Sequence, residues 1–126
     1  MKRATREWVR KAEDDFLAAQ ALSRQRKTPL RDAVCFHCQQ SAEKYLKARM
    51  EEAGLRIPKT HDLEDLLALL VPFEPLWVAL EPALRRLTPY GVKIRYPGSE
   101  ATVPQVKVAK QDIKAIRKEA RFALGL

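Results

Sequence analysis

Residues 35–44 read Cys-Phe-His-Cys-Gln-Gln-Ser-Ala-Glu-Lys, and the segment that carries them reads as one long helix. Asp32 can cap its start, and Gly54 supplies the stop after about Ala53. At about 100° per residue, Val34, Cys38, Ala42, Tyr45 and Arg49 share one side, with Cys35, Leu46 and Ala53 beside them. Phe36, Gln40, Lys44 and Lys47 fall on roughly the opposite side, where an aromatic among polar residues suggests a partner surface.

The flanking segments repeat the helical period. Before it, Trp8, Ala12, Phe16, Ala19 and Leu22 mark one face of a first helix over about Thr5–Arg24, ended by charge and Pro29. After it, Thr60-His61-Asp62 opens a short third helix built on Leu63, Leu66, Leu67 and Leu70 and closed by Pro72. Leu76, Trp77, Leu80, Leu84 and Leu87 form a further apolar face, in which Pro82 either starts or kinks a helix. The stretch 89–98 reads as a loop. Thr102-Val103-Pro104-Gln105 has capping-box spacing, and Val106, Ala109, Ile113, Ile116, Ala120 and Ala123 carry the last helix to Gly125. No strand-period alternation persists, so the expected fold is all-α, an up-and-down bundle of four or five helices in one domain over residues 1–126.

Composition bounds the function. The 126 residues are 46% hydrophobic, enough to bury roughly two thirds of the extended surface in a core. Lys and Arg number 24 against 16 Asp and Glu, a net charge of +8 that favours polyanionic partners or serves solubility alone. Asparagine is absent and Arg outnumbers Lys, 13 to 11, as in heat-stable proteins or under a biased genome. The start of the chain is charged rather than a signal sequence, and the longest apolar run, Leu66 to Val71, is too short for a membrane span. The expectation is a cytoplasmic protein with no membrane contact.

Cys35 and Cys38 have Cys-x-x-Cys spacing but lack the βαβ setting of a redox motif and the further ligands of a structural zinc. They read as neighbouring core thiols, and neither a metal nor another cofactor is expected. His37, Gln40 and Lys44 lie close together on their helix and can read a base and a phosphate, or form a plain polar face. Arg95 and Tyr96 offer phosphate pairing and base stacking, or seal the end of the bundle. Lys107, Lys110, Lys114, Arg117, Lys118 and Arg121 fall within about a 100° arc of the last helix. With Arg3, Arg6 and Arg10 they form a phosphate track, represented by Lys114 and Lys118, or simply a solvated face.

The run Phe36-His37-Cys38-Gln39-Gln40-Ser41-Ala42-Glu43-Lys44 resembles the second helix of the HEPN family. Three further marks follow the family's order: Trp8 to Lys11-Ala12-Glu13-Asp14-Asp15, then Lys59-Thr60-His61-Asp62-Leu63, then Arg95-Tyr96-Pro97. The resemblance covers nearly the whole chain. It implies a nucleotide- or RNA-binding helical protein, commonly a homodimer, paired with a separate minimal nucleotidyltransferase as a toxin–antitoxin-like pair. It also implies two alternatives, a metal-independent ribonuclease toxin and a non-catalytic adaptor resembling the substrate-binding helical domain of nucleotidyltransferases. Family ribonucleases carry an Arg followed four to six residues later by His, and no His follows Arg95 at that spacing. Arg31 to His37 and Arg56 to His61 do have it, a coincidence common in an Arg-rich chain. His37, His61 and Arg95 are the catalytic candidates, and the expectation is little or no cleavage.

Overall fold

The computed structural model describes residues 1–92 and 97–126. Among these, every regular element is helical: α1 (Arg3–Ser23), α2 (Arg31–Glu52), α3 (Leu63–Leu70), α4 (Glu81–Leu87) and α5 (Val103–Ala123), with 3-10 segments at Pro75–Leu80 and Thr88–Gly91.

The long helices form where apolar period and end signals agree. Ala12, Phe16 and Ala19 of the α1 stripe are buried. Gly54 adopts φ +73°, and Leu55 N donates to Met50 O while Gly54 N donates to Glu51 O, the paired bonds of a Schellman stop. Asp62 Oδ1 accepts from Glu64 N at 2.9 Å and starts α3. Thr102 and Gln105 exchange both bonds of the capping box at the start of α5.

α2 lies at the centre and packs against every other α-helix. α1 runs antiparallel to it, since Lys2 meets Glu52 and Asp15 meets His37. α5 runs in the same sense as α2, because Ala101 N donates to Asp32 near both starts and Arg121 reaches Tyr45 further along. Tyr45, Leu46, Met50, Leu63, Leu66, Leu84, Ile113 and Ile116 fill the interior between them.

Three local expectations change, at Asp32, at Leu76 and at residue 89, and the open alternative at Pro82 resolves. Asp32 is not a cap: it sits inside the first turn of α2, and its carboxylate accepts from Ala101 N at 2.7 Å. Leu76 is 89% exposed, because Pro75–Leu80 is a 3-10 segment and Leu76 falls out of phase with Trp77 and Leu80. Pro82 stands in the first turn of α4, so it starts a helix there. The stretch beginning at residue 89 opens with the tail of a second 3-10 segment.

Candidate binding face on the central helix

α5 covers the Val34, Cys38 and Tyr45 side of α2, which leaves a half-buried stripe of Phe36, His37, Gln40 and Lys44 on the other. Two buried carboxylates organise that stripe. Asp15 of α1, 9% exposed, faces two bases: His37 Nδ1 lies 2.8 Å from Oδ1, and Lys44 Nζ donates to Oδ2 at 2.5 Å. Glu43 of α2 receives Lys47 Nζ at 3.0 Å and Gln39 Nε2 at 3.1 Å, and sits 2.9 Å from His61 Nδ1. Gln39 also donates to the His61 carbonyl at 3.3 Å and accepts from Gln40 Nε2 at 2.7 Å. The ring of Phe36 stands edge-on to His37, with centroids 5.4 Å apart.

His37, Gln40 and Lys44 therefore share one face, but through two separate polar clusters. His61 joins the second cluster through Glu43, and its ring remains open to solvent while the carboxylate is closed off. Gly91 presses on the same cluster: a Cβ there would stand 3.0 Å from Gln39 Cδ. Lys47, expected on the outer side with Lys44, is instead buried against Glu43, with its ammonium 5.9 Å from the Trp8 ring. Arg95 and Tyr96 lie outside the described residues.

Asp15, Gln39 and Glu43 are the organising residues that motif reading passed over. Asp15 was findable, for it lies only about 20° from Trp8 and 40° from Ala19 on the apolar side of α1. A carboxylate placed there requires buried partners.

Each cluster sets one carboxylate against one ammonium, Asp15 against Lys44 and Glu43 against Lys47. Such a face offers directional donors and acceptors rather than net positive charge, and suits the polar edge of a base better than a phosphate.

The cations of α5 divide. Arg117 donates to Glu13 at 2.9 and 2.5 Å, and Arg121 reaches Tyr45 at 3.4 Å, so both are turned toward the bundle. Tyr45 also donates to Glu13. The Arg117 guanidinium holds the Glu13 carboxyl below the usual range, more strongly than burial raises it. Lys114 lines a surface groove with Lys107 and Lys110, whereas Lys118 is exposed beyond it. Arg6 and Arg10 are exposed on the half of α1 away from that groove, so the N-terminal arginines do not line it.

Cys35 and Cys38 are fully buried free thiols, pushed up to about 11 and about 12 chiefly by burial. Among the described residues no group of three or more His, Cys, Asp or Glu side chains is placed to hold a metal ion. Among them, too, no helix is long and apolar enough to cross a membrane.

No curated protein and no solved structure matches the chain. A family model, described as HEPN domain, matches residues 5–124, nearly the full length, and spans the stripe on α2, Asp15 on α1 and His61 before α3 alike. The chain belongs to the HEPN domain family.

Proposed function

We propose that this HEPN protein binds a nucleotide or RNA through the α2 stripe, as the helical partner of a separate small nucleotidyltransferase. The observation that carries the reading is the carboxylate-anchored row of His37, Gln40 and Lys44 on the one side of the central helix that α5 leaves open. Their anchors hold these side chains in fixed directions, so they present pre-oriented donors and acceptors to a ligand with little ordering left to do. Two copies related by a two-fold axis would set two such rows against each other, and the assembly is a cytoplasmic homodimer working in a toxin–antitoxin-like pair. Arg95 and Tyr96, by the family resemblance, belong to the same ligand site.

Calorimetric titration with AMP, GMP and a short single-stranded RNA tests this. Loss of a hydrogen bond to a charged group is worth about 1.5–3 kcal/mol, so Lys44→Met is expected to weaken binding by at least about tenfold, and Gln40→Ala somewhat less. Glu119→Ala, on the exposed side of α5, serves as the comparison. Unchanged affinity in both α2 variants rejects the site.

Metal-independent ribonuclease activity is the second reading, favoured by one observation. His61 presents an exposed ring whose Nδ1 sits against a buried carboxylate, an arrangement that orients an imidazole for proton transfer. With no His after Arg95, little or no cleavage is expected; turnover lost in His61→Ala with the fold intact would establish this reading instead.

A further inference from the structure

The α2 face is charge-balanced, so the phosphates of an RNA need to be met elsewhere. On the opposite side of α2, the start of α5 and the α1–α2 connection enclose an open groove of about 440 Å³. Pro29, Val103 and Val106 give it an apolar part, and Arg31, Lys107, Lys110 and Lys114 give it charge.

We infer that this groove is a second, sequence-independent site that holds the phosphate backbone of single-stranded RNA. Lys107, Lys110 and Lys114 make no ion pair among the described residues. They follow one another at three and four residues, so their attachment points rise about 4.5 and 6 Å along α5. That pitch is comparable to the separation of successive phosphates in an extended strand. Arg31 is fixed at the mouth of the groove, its Nε donating to Ala101 O at 2.8 Å and its Nη2 to Glu100 at 2.6 Å. Asp112, in the middle of α5, is already held by Arg86 at 2.8 and 2.9 Å. The α1–α2 connection adds Arg24, Arg26 and Lys27, all exposed.

The occupant follows from this chemistry. Among the described residues no aromatic side chain lines the groove, which there offers charge and a few aliphatic contacts rather than a stacking platform or a large anchor pocket. Lys118 continues the cationic row past the groove, which favours a ligand longer than one nucleotide. The ligand class rests on the proposed RNA reading; the place of the site does not.

Fluorescence anisotropy of a labelled uridine dodecamer, read across a salt series, tests the inference. Lys107, Lys110, Lys114 and Lys118, four cations on a single strand, predict that affinity falls about 50-fold between about 50 and 200 mM salt. Lys107→Glu with Lys110→Glu is expected to weaken binding at least about tenfold at low salt and to reduce that fall to about sevenfold. Circular dichroism checks that the fold survives, and the paired alanine variants should move in the same direction by less. Wild-type RNA affinity in the groove variants, with loss confined to Lys44→Met, overturns the groove and leaves the α2 site standing. Loss in the groove variants alone, with AMP bound as before, supports the groove whatever becomes of the α2 site. A labelled polyglutamate that binds the groove while RNA fails to displace it overturns the inference in favour of an acidic protein partner.

Discussion

Glu43→Gln replaces a buried carboxylate by an amide of the same shape, and its cost can be worked from the contacts it removes. The Glu43 and Lys47 side chains are 6% and 8% exposed and 3.0 Å apart. Removing one partner of such a pair leaves the other charge buried and uncompensated, at about 3–5 kcal/mol. The two residues are not equivalent. Without Lys47, the carboxylate still has Gln39 and His61; without the carboxylate, Lys47 has no counter-charge among the described residues, only a neutral amide oxygen and the Trp8 ring at 5.9 Å. Glu43→Gln should therefore cost more than Lys47→Met, and the pair Glu43→Leu with Lys47→Met less than the sum of its parts. Urea unfolding at neutral pH reads this directly: with m of about 2 kcal/mol/M for a chain of this size, the midpoint should drop by about 1.5–2.5 M in Glu43→Gln. A loss below about 1 kcal/mol, or a larger loss in Lys47→Met, would refute the reasoning, because it would mean the pair is solvated in a way its burial denies.

Two further outcomes are expected. Gly91→Ala puts a Cβ 3.0–3.1 Å from the Gln39 carboxamide, whose atoms are fully buried and hydrogen-bonded, so it should destabilise by about 1–3 kcal/mol in the same urea assay and shift the His61 ring resonances; an unperturbed variant would show that Gln39 yields freely. The Arg117 hydrogen bond lowers the Glu13 pKa in the folded chain, so its contribution is present above the unfolded value of about 4.3 and is lost as pH falls through the folded value; urea midpoints taken from neutral pH downward should decline more steeply below about pH 4.5 in wild type than in Glu13→Gln, and identical slopes would exclude Glu13 as a source of acid lability.

Local signals carried much of the fold. Thr102 and Gln105 announce α5 because both partners of the capping box lie within one turn, and Gly54 announces the end of α2 because only a left-handed residue closes that motif without strain. Where the determining contact is long-range, the same reasoning had nothing to work on. Asp32 satisfies Ala101 N across 69 residues, and a cap is what its position suggests when that partner is out of view. Pro75 and Pro82 split a stretch of apparently continuous period, and the 3-10 turn between them re-phases Leu76 outward. The candidate face was half legible: His37, Gln40 and Lys44 fall on one side by simple rotation, but a wheel cannot say that α2 is enclosed by four neighbours. That enclosure buries Lys47 and makes Glu43 and Asp15 the centres of the two polar clusters.

The distribution of charge ties these observations together. Glu13, Asp15, Glu43 and Asp112 all lie at helix contacts, where each neutralises a base from its own or a neighbouring helix. A carboxylate engaged inside the bundle cannot screen a lysine on its surface, so the surplus of +8 is not spread evenly. It collects where acids are scarce, along Lys107, Lys110 and Lys114 and in the α1–α2 connection. The α2 stripe, by contrast, sets a carboxylate against each ammonium and keeps its polar groups in fixed directions. Orientation belongs to one side of α2 and attraction to the other. On that division, salt should act on groove binding far more than on recognition at the stripe, since exposed charges are screened and buried hydrogen bonds are not.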